Sequence, residues 1–503
     1  MRVLYIAAEC KPFSKAGGVG DVAGELPIAL QAAGVDVEIV TPWYGKTNVD
    51  DRPLEFNGVR HRVGVVPTTL RGVPVHFIKN PAHFETDYTS PKAKRPALLD
   101  PYLYTKDYST PYVDSDRYPF LDDALRFSFF SEACLDVIAQ RKPDVVHIND
   151  WVLGYLFGRM VQHGLTAKRV LTIHNIGYQG NLGTDRIRGW TIESLMHDPR
   201  LGPLFEDPRP EWESINPLRL AIELSHHTNT VSPNYMEEII RPEDPSRYFE
   251  GGKGMEPYTQ RLEREGRLTG ILNGFEYRGE PTQTAFETML AAKQAARTAL
   301  LREFRTPVEF LIGFVGRAVE QKFKLLVEEV DGKSVLEHIL DIPGVGVAIV
   351  ATGQAEYEDF VRRLNHRPNL AATLAFDRAR AQQISLGSDV FLMPSLFEPC
   401  GITQMESLSC ATPPLVRWTG GLVDTVRPHT AANGTGFGFD GRTRNDVLRN
   451  LVATVREARE VFLTNPQMFR ALQGRGFAER FTWSDAAGRY IRDVYEPALR
   501  TKN

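Results

Sequence analysis

The sequence predicts an α/β protein built from two doubly wound units, and three observations carry that prediction. Short apolar runs alternate with amphipathic stretches along most of the chain, as parallel βαβ units require. The first apolar run is followed by a cation and a glycine-rich turn, Ser14-Lys15-Ala16-Gly17-Gly18-Val19-Gly20-Asp21. In the second half another apolar run is followed by two cations, Arg317 and Lys322. Doubly wound sheets bind ligands outside the carboxyl ends of their strands, so two such half-sites predict a cleft that holds something anionic between domains.

Taken in order, residues 3–8 read as a buried strand and 21–33 as a helix. Gly34 ends that helix, because glycine accepts the left-handed backbone a helix terminus often needs. Residues 35–40, 144–148 and 170–173 read as further strands. The stretch from about 80 to 122 is rich in Pro, Tyr and Asp without a clear period, and reads as an irregular insertion over the cleft mouth. From 241 to 254 the chain turns polar and glycine-rich (Phe249-Glu250-Gly251-Gly252-Lys253-Gly254), which reads as a mobile loop near a hinge. Alternation then resumes, with strands at 310–315, 345–351, 389–394 and 414–417 and helices at 357–364, 379–386 and 402–410.

Size and composition bound the function. A chain of 503 residues exceeds one core, and at about 150 residues per domain it divides into two or three. A hydrophobic content of 42% fits a soluble globular enzyme. The formal charge of −4 gives no global field for nucleic acid or anionic lipid, so an anion site must be local. Cys10, Cys134, Cys400 and Cys410 have neither metal-ligand spacing nor the density of a disulfide framework. The opening apolar stretch is too short for a signal peptide, and nothing approaches the ~20 apolar residues of a spanning helix. The expectation is a reduced, cytoplasmic protein without membrane or nucleic-acid partners.

Each candidate motif has a chemical and a structural reading. Gly17, Gly18 and Gly20 let the backbone approach a ligand, the following helix offers free amides, and Lys15 adds a point charge. A tight turn with a solvated lysine is the plainer alternative. Arg317 and Lys322 can meet over a pyrophosphate, arginine as a planar fork and lysine as a compact charge, or can be two exposed cations. In Pro394-Ser395-Leu396-Phe397-Glu398-Pro399-Cys400-Gly401, Glu398 can accept hydrogen bonds from sugar hydroxyls while the amides near Gly401 give others. Its alternative is a carboxylate favoured by a helix dipole. Glu406 follows eight residues later, roughly two turns along the same helix face, and reads as a supporting or surface residue. Thr419-Gly420-Gly421-Leu422 repeats the glycine turn and could offer amides to the far phosphate. His147-Ile148-Asn149-Asp150-Trp151 and Thr172-Ile173-His174-Asn175 close two first-half strands. There His174 could donate to a sugar hydroxyl, and Asp150 could position an acceptor or orient Lys15; either can equally be structural.

Together these segments resemble bacterial glycogen synthases and plant starch synthases. Lys15 to Val22 is similar to the family's Lys-x-Gly-Gly-Leu-Gly-Asp-Val loop. Thr172-Ile173-His174-Asn175-Ile176-Gly177-Tyr178-Gln179-Gly180, Thr230-Val231-Ser232-Pro233 and Gly270-Ile271-Leu272-Asn273-Gly274 follow in register. Phe397-Glu398-Pro399-Cys400-Gly401, Thr419-Gly420-Gly421-Leu422-Val423-Asp424-Thr425-Val426 and Phe481-Thr482-Trp483 complete the series. The resemblance implies a retaining glucosyltransferase of the two-Rossmann (GT-B) type. It also implies a first domain at 1–260, a second at 261–480, and a helix at 481–503 that crosses back. Such enzymes move glucose from a nucleotide diphosphate sugar, in bacteria usually ADP-glucose, to the non-reducing end of an α-1,4-glucan, with no cofactor and no metal. By the same resemblance Glu398, Lys322, Arg317 and His174 are catalytic. Lys15, Gly18, Thr419, Gly420, Gly421, Leu422, Cys400 and Gly401 lie on the donor and its phosphates, and Asp150, Asn175 and Glu9 on the sugar side.

The chain departs from that pattern in places. Asn149 and Val152 replace histidines, Phe323 a glycine, Leu396 a polar residue, Phe275-Glu276 an Ile-Asp pair, and Glu406 a tyrosine. These departures motivate a second reading, the same chemistry on a small-molecule or short-oligosaccharide acceptor. A third is a catalytically silent sugar-nucleotide or glucan-binding protein. A dinucleotide oxidoreductase has little support, since no Gly-x-Gly-x-x-Gly turn is followed by a ribose-binding acid at the usual distance.

Overall fold

A computed structural model describes residues 1–15, 17–44, 52–80, 83–84 and 121–501. The expected insertion at 80–122 lies almost wholly outside the described residues. Two sheets organise the rest. The first has nine strands: β1 (Arg2–Ile6), β2 (Asp36–Pro42), β3 (Arg52–Phe56), β4 (Val59–Leu70), β5 (Val73–Lys79), β6 (Val145–Asn149), β7 (Lys168–Ile173), β8 (His227–Thr230) and β9 (Leu268–Gly270). Their spatial order is β9-β8-β7-β6-β1-β2-β5-β4-β3. Pairing is parallel from β9 to β5, and β4 and β3 add an antiparallel edge. The second sheet is parallel throughout, with β10 (Phe310–Ala318), β11 (Val345–Gly353), β12 (Leu370–Thr373), β13 (Val390–Met393), β14 (Pro414–Arg417) and β15 (Phe437–Phe439) in the order β12-β11-β10-β13-β14-β15.

The apolar runs form strands because helices cover both faces, so successive side chains are all buried. Val3, Leu4, Tyr5 and Ile6 divide between two cores on opposite faces of the first sheet. Helix α1 (Gly18–Ala32) follows β1 and begins three residues before the expected start, inside the glycine turn itself. It stops as expected: Gly34 sits at φ +90°, and the Gly34 and Val35 N–H groups return to the carbonyls of Gln31 and Leu30 at 3.0 Å each.

In each sheet the chain order reverses beside the first strand, between β1 and β6 in one and between β10 and β13 in the other. A crevice opens at such a switch point because the loops on its two sides leave in opposite directions. The segments that follow β1, β6, β10 and β13 carry Lys15, Asp150, Lys322 and Glu398 respectively.

Three expectations need correction or confirmation here. The first sheet takes in Leu268–Gly270, beyond the boundary placed after residue 260, because β9 pairs with Thr228 to Thr230 of β8. The glycine-rich 249–254 segment is pinned, not loose. Gly251, at φ +59°, lies so close that a Cβ would fall 2.5 Å from the Arg241 carbonyl oxygen. Arg417 also grips the preceding Arg247 and Tyr248 carbonyls at 2.8 and 3.0 Å. The C-terminal segment does return to the first lobe: helix α6 (Trp483–Arg489) and the turns after it bury Ala487, Tyr490, Val494 and Tyr495 against the β1–β2 face. Among the described residues no helix is long and apolar enough to cross a membrane.

Candidate active site

The second-lobe half is built by two loops tied to each other. Strand β10 runs through Arg317, further than its apolar run suggests, because it pairs with β11 as far as Ala318 and Gly353. Helix α3 (Glu320–Val327) starts at once, placing Lys322 in its first turn. The next loop approaches from β13, where the Leu396 N–H donates to the Gln321 carbonyl at 2.8 Å and the Gln321 amide to the Phe397 carbonyl at 3.0 Å. This brings Lys322 Nζ onto Glu398 Oε2 as an ion pair, and the Ser395 hydroxyl donates to the same oxygen at 3.1 Å. Glu398 is only 6% exposed. Arg317 is exposed at the strand end and forms no ion pair among the described residues. Phe323 points away into the core and packs edge-on against Phe314 at 5.1 Å.

The glycine turn after β14 supports this pair from behind. Gly420 sits at φ +47°, and a Cβ there would fall 1.9 Å from the Glu398 carbonyl oxygen. The Gly421 N–H donates to that same carbonyl at 2.9 Å. The Gly420 N–H goes to Glu238 at 2.8 Å, and those of Leu422 and Val423 turn back to Thr419 and Gly420. The expectation that Thr419 to Leu422 offer amides to a phosphate differs from this arrangement: the Gly421 N–H holds the Glu398 backbone, the Gly420 N–H meets Glu238, and those of Thr419 and Leu422 stay within the turn and the strand before it. The amides of Gly401, Ile402 and Thr403, ahead of α4 (Thr403–Ser409), donate to no protein acceptor among the described residues. Cys400 contributes backbone and bulk, since burial pushes its thiol up to about 12. Leu422 is wholly buried.

In the first-lobe half, Glu9 lies buried under the glycine loop and accepts the Gly17 N–H at 3.2 Å. Gly20 is small for that reason, as a Cβ would come within 3.0 Å of Glu9 Oε2, whereas Gly18 faces open space. Lys15 pairs with Asp21 at 2.5 Å. Asp150 therefore does not orient Lys15, as one reading of the sequence had it. Its carboxylate accepts the backbone N–H groups of His174 and Asn175 at 2.7 and 3.4 Å, stitching the ends of β6 and β7 together. Asp150 itself sits at φ +58°, the kind of strained backbone that clusters at functional sites. Burial pushes its carboxyl up to about 7 against the pull of those two amides. The Asn175 side chain is committed to its own loop, accepting the Gly177 N–H at 2.9 Å. His174 Nε2 lies 2.9 Å from Asn149 Oδ1, and burial holds the imidazole down to about 3, so the ring is neutral. Glu406 is half-buried on α4. Burial raises its carboxyl, while Arg378, Lys15 and Arg278 pull the other way, so the Lys15 loop lies within electrostatic reach of α4.

Sequence reasoning missed the residues that join the lobes. Helix α2 (Pro233–Ile239) of the first lobe docks on α5 (Gly421–Thr425) of the second. The Ser232 hydroxyl donates to the Pro399 carbonyl at 2.7 Å, and the Asn234 N–H to Asp424 at 2.9 Å. The Glu238 carboxylate accepts from the Gly420 N–H and, at 3.3 Å, from the Thr419 hydroxyl. Ser232-Pro233 did carry a signal, a helix cap with proline behind it, but Glu238 reads like any charge on a solvated helix face.

Comparison with known proteins agrees with this architecture. The model of the family described as starch synthase catalytic domain matches residues 2–261, and that described as glycosyl transferases group 1 matches 304–459. The chain is 34% identical to a glycogen synthase of Koribacter versatilis, over 100% of this chain and 99% of that protein. It is 32% identical to a glycogen synthase of Exiguobacterium sibiricum, over 98% of each. Among solved structures, the catalytic domain of starch synthase IV from Arabidopsis thaliana, bound to ADP and acarbose, superposes with a TM-score of 0.74 at 25% identity over 99% of both chains. The sucrose-phosphate synthase of Thermosynechococcus elongatus, at 16% identity and a TM-score of 0.56, shares the fold. With two Rossmann-like lobes, the switch-point loops facing across a cleft and these full-length relatives, the chain belongs to the starch synthase catalytic domain family and is a GT-B glycosyltransferase.

Proposed function

We propose that the enzyme moves glucose, with retention of the anomeric configuration, from a nucleotide diphosphate glucose to the non-reducing end of an α-1,4-glucan. ADP-glucose is the favoured donor. The observation that carries this reading is the contact of Lys322 with Glu398 at the second lobe's switch point, with Arg317 exposed on the neighbouring strand end. Breaking the bond between the anomeric carbon and the phosphate oxygen builds positive charge on the sugar and negative charge on the diphosphate. Lys322 and Arg317 neutralise the diphosphate, and the amides of Gly401 to Thr403 lie ready for sugar or phosphate oxygens. Glu398 then takes hydrogen bonds from donor-sugar hydroxyls in place of the lysine. The acceptor hydroxyl attacks the face the diphosphate leaves, and the departing phosphate oxygen takes its proton. Full-length relatives named glycogen synthase, and a neighbour bound to ADP and acarbose, support both substrate classes. All four cysteines are free thiols, which fits a reducing cytoplasm.

The test offers labelled ADP-glucose and UDP-glucose with glycogen or with maltotriose, reading diphosphate release and polymer-bound label. Label entering glycogen, faster from ADP-glucose, is the expected result. Label appearing only in a small glycoside rejects the polymer acceptor, and no release with any pair rejects transfer itself.

A further inference from the structure

His174 gives one ring nitrogen to the protein, and its neighbours decide which nitrogen carries the proton. Nε2 lies 2.9 Å from the Asn149 carboxamide. Oxygen and nitrogen of a carboxamide look alike, so the assignment must come from the other partners. Asn149 Nδ2 donates at 3.0 Å to the Ile6 carbonyl, which can only accept. Asn149 Oδ1 also takes the Tyr5 hydroxyl at 2.9 Å. Turning the carboxamide over would set two oxygens against each other at Ile6, 3.0 Å apart with no proton between them. Oδ1 therefore faces the imidazole, and Nε2 must be the protonated nitrogen. A neutral ring has one proton, so Nδ1 is left as a bare lone pair, and it has no protein partner among the described residues.

We propose that Asn149 is a positioning residue that locks His174 as the Nε2–H tautomer, so that the ring accepts a hydrogen bond from a sugar hydroxyl. The inference rests on the glycosyltransferase reading above and reverses the expectation that His174 donates. The lock is rigid, because Tyr5 also packs edge-on against His147 at 4.7 Å, and His147 is held by Tyr495 and Thr172 at 2.8 and 2.6 Å. Selectivity follows from the tautomer. A hydroxyl can donate to Nδ1, whereas fluorine or an ether cannot, and the carboxylate of a uronic acid would meet a lone pair with its own negative charge.

The first test is ¹⁵N NMR of the full-length enzyme with labelled histidine, with the His174 signals assigned by their loss in His174→Gln. The expected pattern has Nε2 protonated and Nδ1 unprotonated at neutral pH. A protonated Nδ1 in the wild type overturns the proposal whether or not glucan is the acceptor. Asn149→Leu should lose the pattern, while Tyr5→Phe should keep it, because Ile6 still orients the carboxamide; a changed pattern in Tyr5→Phe also counts against the lock. The second test measures dissociation constants for deoxy and deoxyfluoro analogues of donor and acceptor, one hydroxyl at a time. At the hydroxyl His174 reads, both replacements should bind roughly tenfold weaker. Whether that hydroxyl belongs to donor or acceptor is read from which panel shows the paired loss. If fluorine restores binding wherever hydrogen weakens it, His174 is a donor and the proposal fails.

Discussion

Removing the Lys322 ammonium should damage stability and turnover by separable amounts. Glu398 is almost fully buried, and without the lysine its carboxylate keeps, among the described residues, only the Ser395 hydroxyl. Breaking a buried ion pair by deleting one partner costs about 3–5 kcal/mol, because a charge is left without compensation. The Lys322 side chain is 21% exposed, so water can partly replace it, and about 1–3 kcal/mol is the expected loss in Lys322→Ala. The catalytic loss has another origin, a preorganised charge missing when the diphosphate develops. That is worth about 2–4 kcal/mol, or roughly 30- to 900-fold in kcat/KM. Glu398→Gln in the same chain separates the two effects. Stability, read by urea unfolding, should recover in Lys322→Ala/Glu398→Gln, since no buried charge is left bare. Turnover, read as released diphosphate, should not. Lys322→Ala turning over within about threefold of wild type, or a double variant that regains turnover, would refute the assignment of Lys322 to the leaving diphosphate.

Two further outcomes follow from the geometry. Gly420→Ala should lose about 2–4 kcal/mol, because it adds left-handed strain at φ +47° and drives a Cβ into the Glu398 carbonyl, whereas Gly18→Ala, facing open space, should stay within about 0.5 kcal/mol. Comparable melting temperatures for the two variants would contradict the role given to the 419–422 turn. Asp150, with its carboxyl pushed up to about 7, holds its proton in the folded state where the unfolded chain has released it. Its contribution is thus complete below about pH 4 and is lost as pH rises to about 7, so Asp150→Asn should gain stability over wild type progressively through that window. Unfolding curves at several pH values check this, and a gap that narrows with rising pH would reverse the sign.

Much of the fold was legible because parallel strands covered on both faces must be apolar throughout. The runs at 310–315, 345–351 and 414–417 needed no tertiary knowledge to read. Strand β8 shows where that rule fails. His227-Thr228-Asn229-Thr230 looks like a loop, yet it is fully buried inside the first sheet. Its central amide is satisfied by residues far away in sequence: Asn229 accepts from Thr172 and donates to Tyr490, each at 2.8 Å. Strand β9 was missed with it, since three residues have no periodicity and depend on β8 for pairing. The β3–β4 hairpin could have been found, because Asn57-Gly58 is a two-residue turn with both residues at positive φ.

The site shows the same division. Single residues were legible because each sits just past a strand, where an open α/β sheet keeps its chemistry. What could not be read was which charges meet. Lys15 and Lys322 are not bare cations waiting for an anion: Asp21 and Glu398 already neutralise them. A diphosphate must compete with those carboxylates, and the competition is easier at Lys15, whose side chain is 37% exposed, than at Lys322 at 21%. Arg317 is exposed and carries no ion pair among the described residues, so recruiting it requires no exchange. On the proposed function, a chain with a net charge of −4 offers cations to a diphosphate while keeping Lys15 and Lys322 paired without it. On the same reading, a sugar diphosphate that replaces the Glu398 and Asp21 contacts together, with a sugar for the carboxylate and phosphates for the lysines, recovers what it displaces.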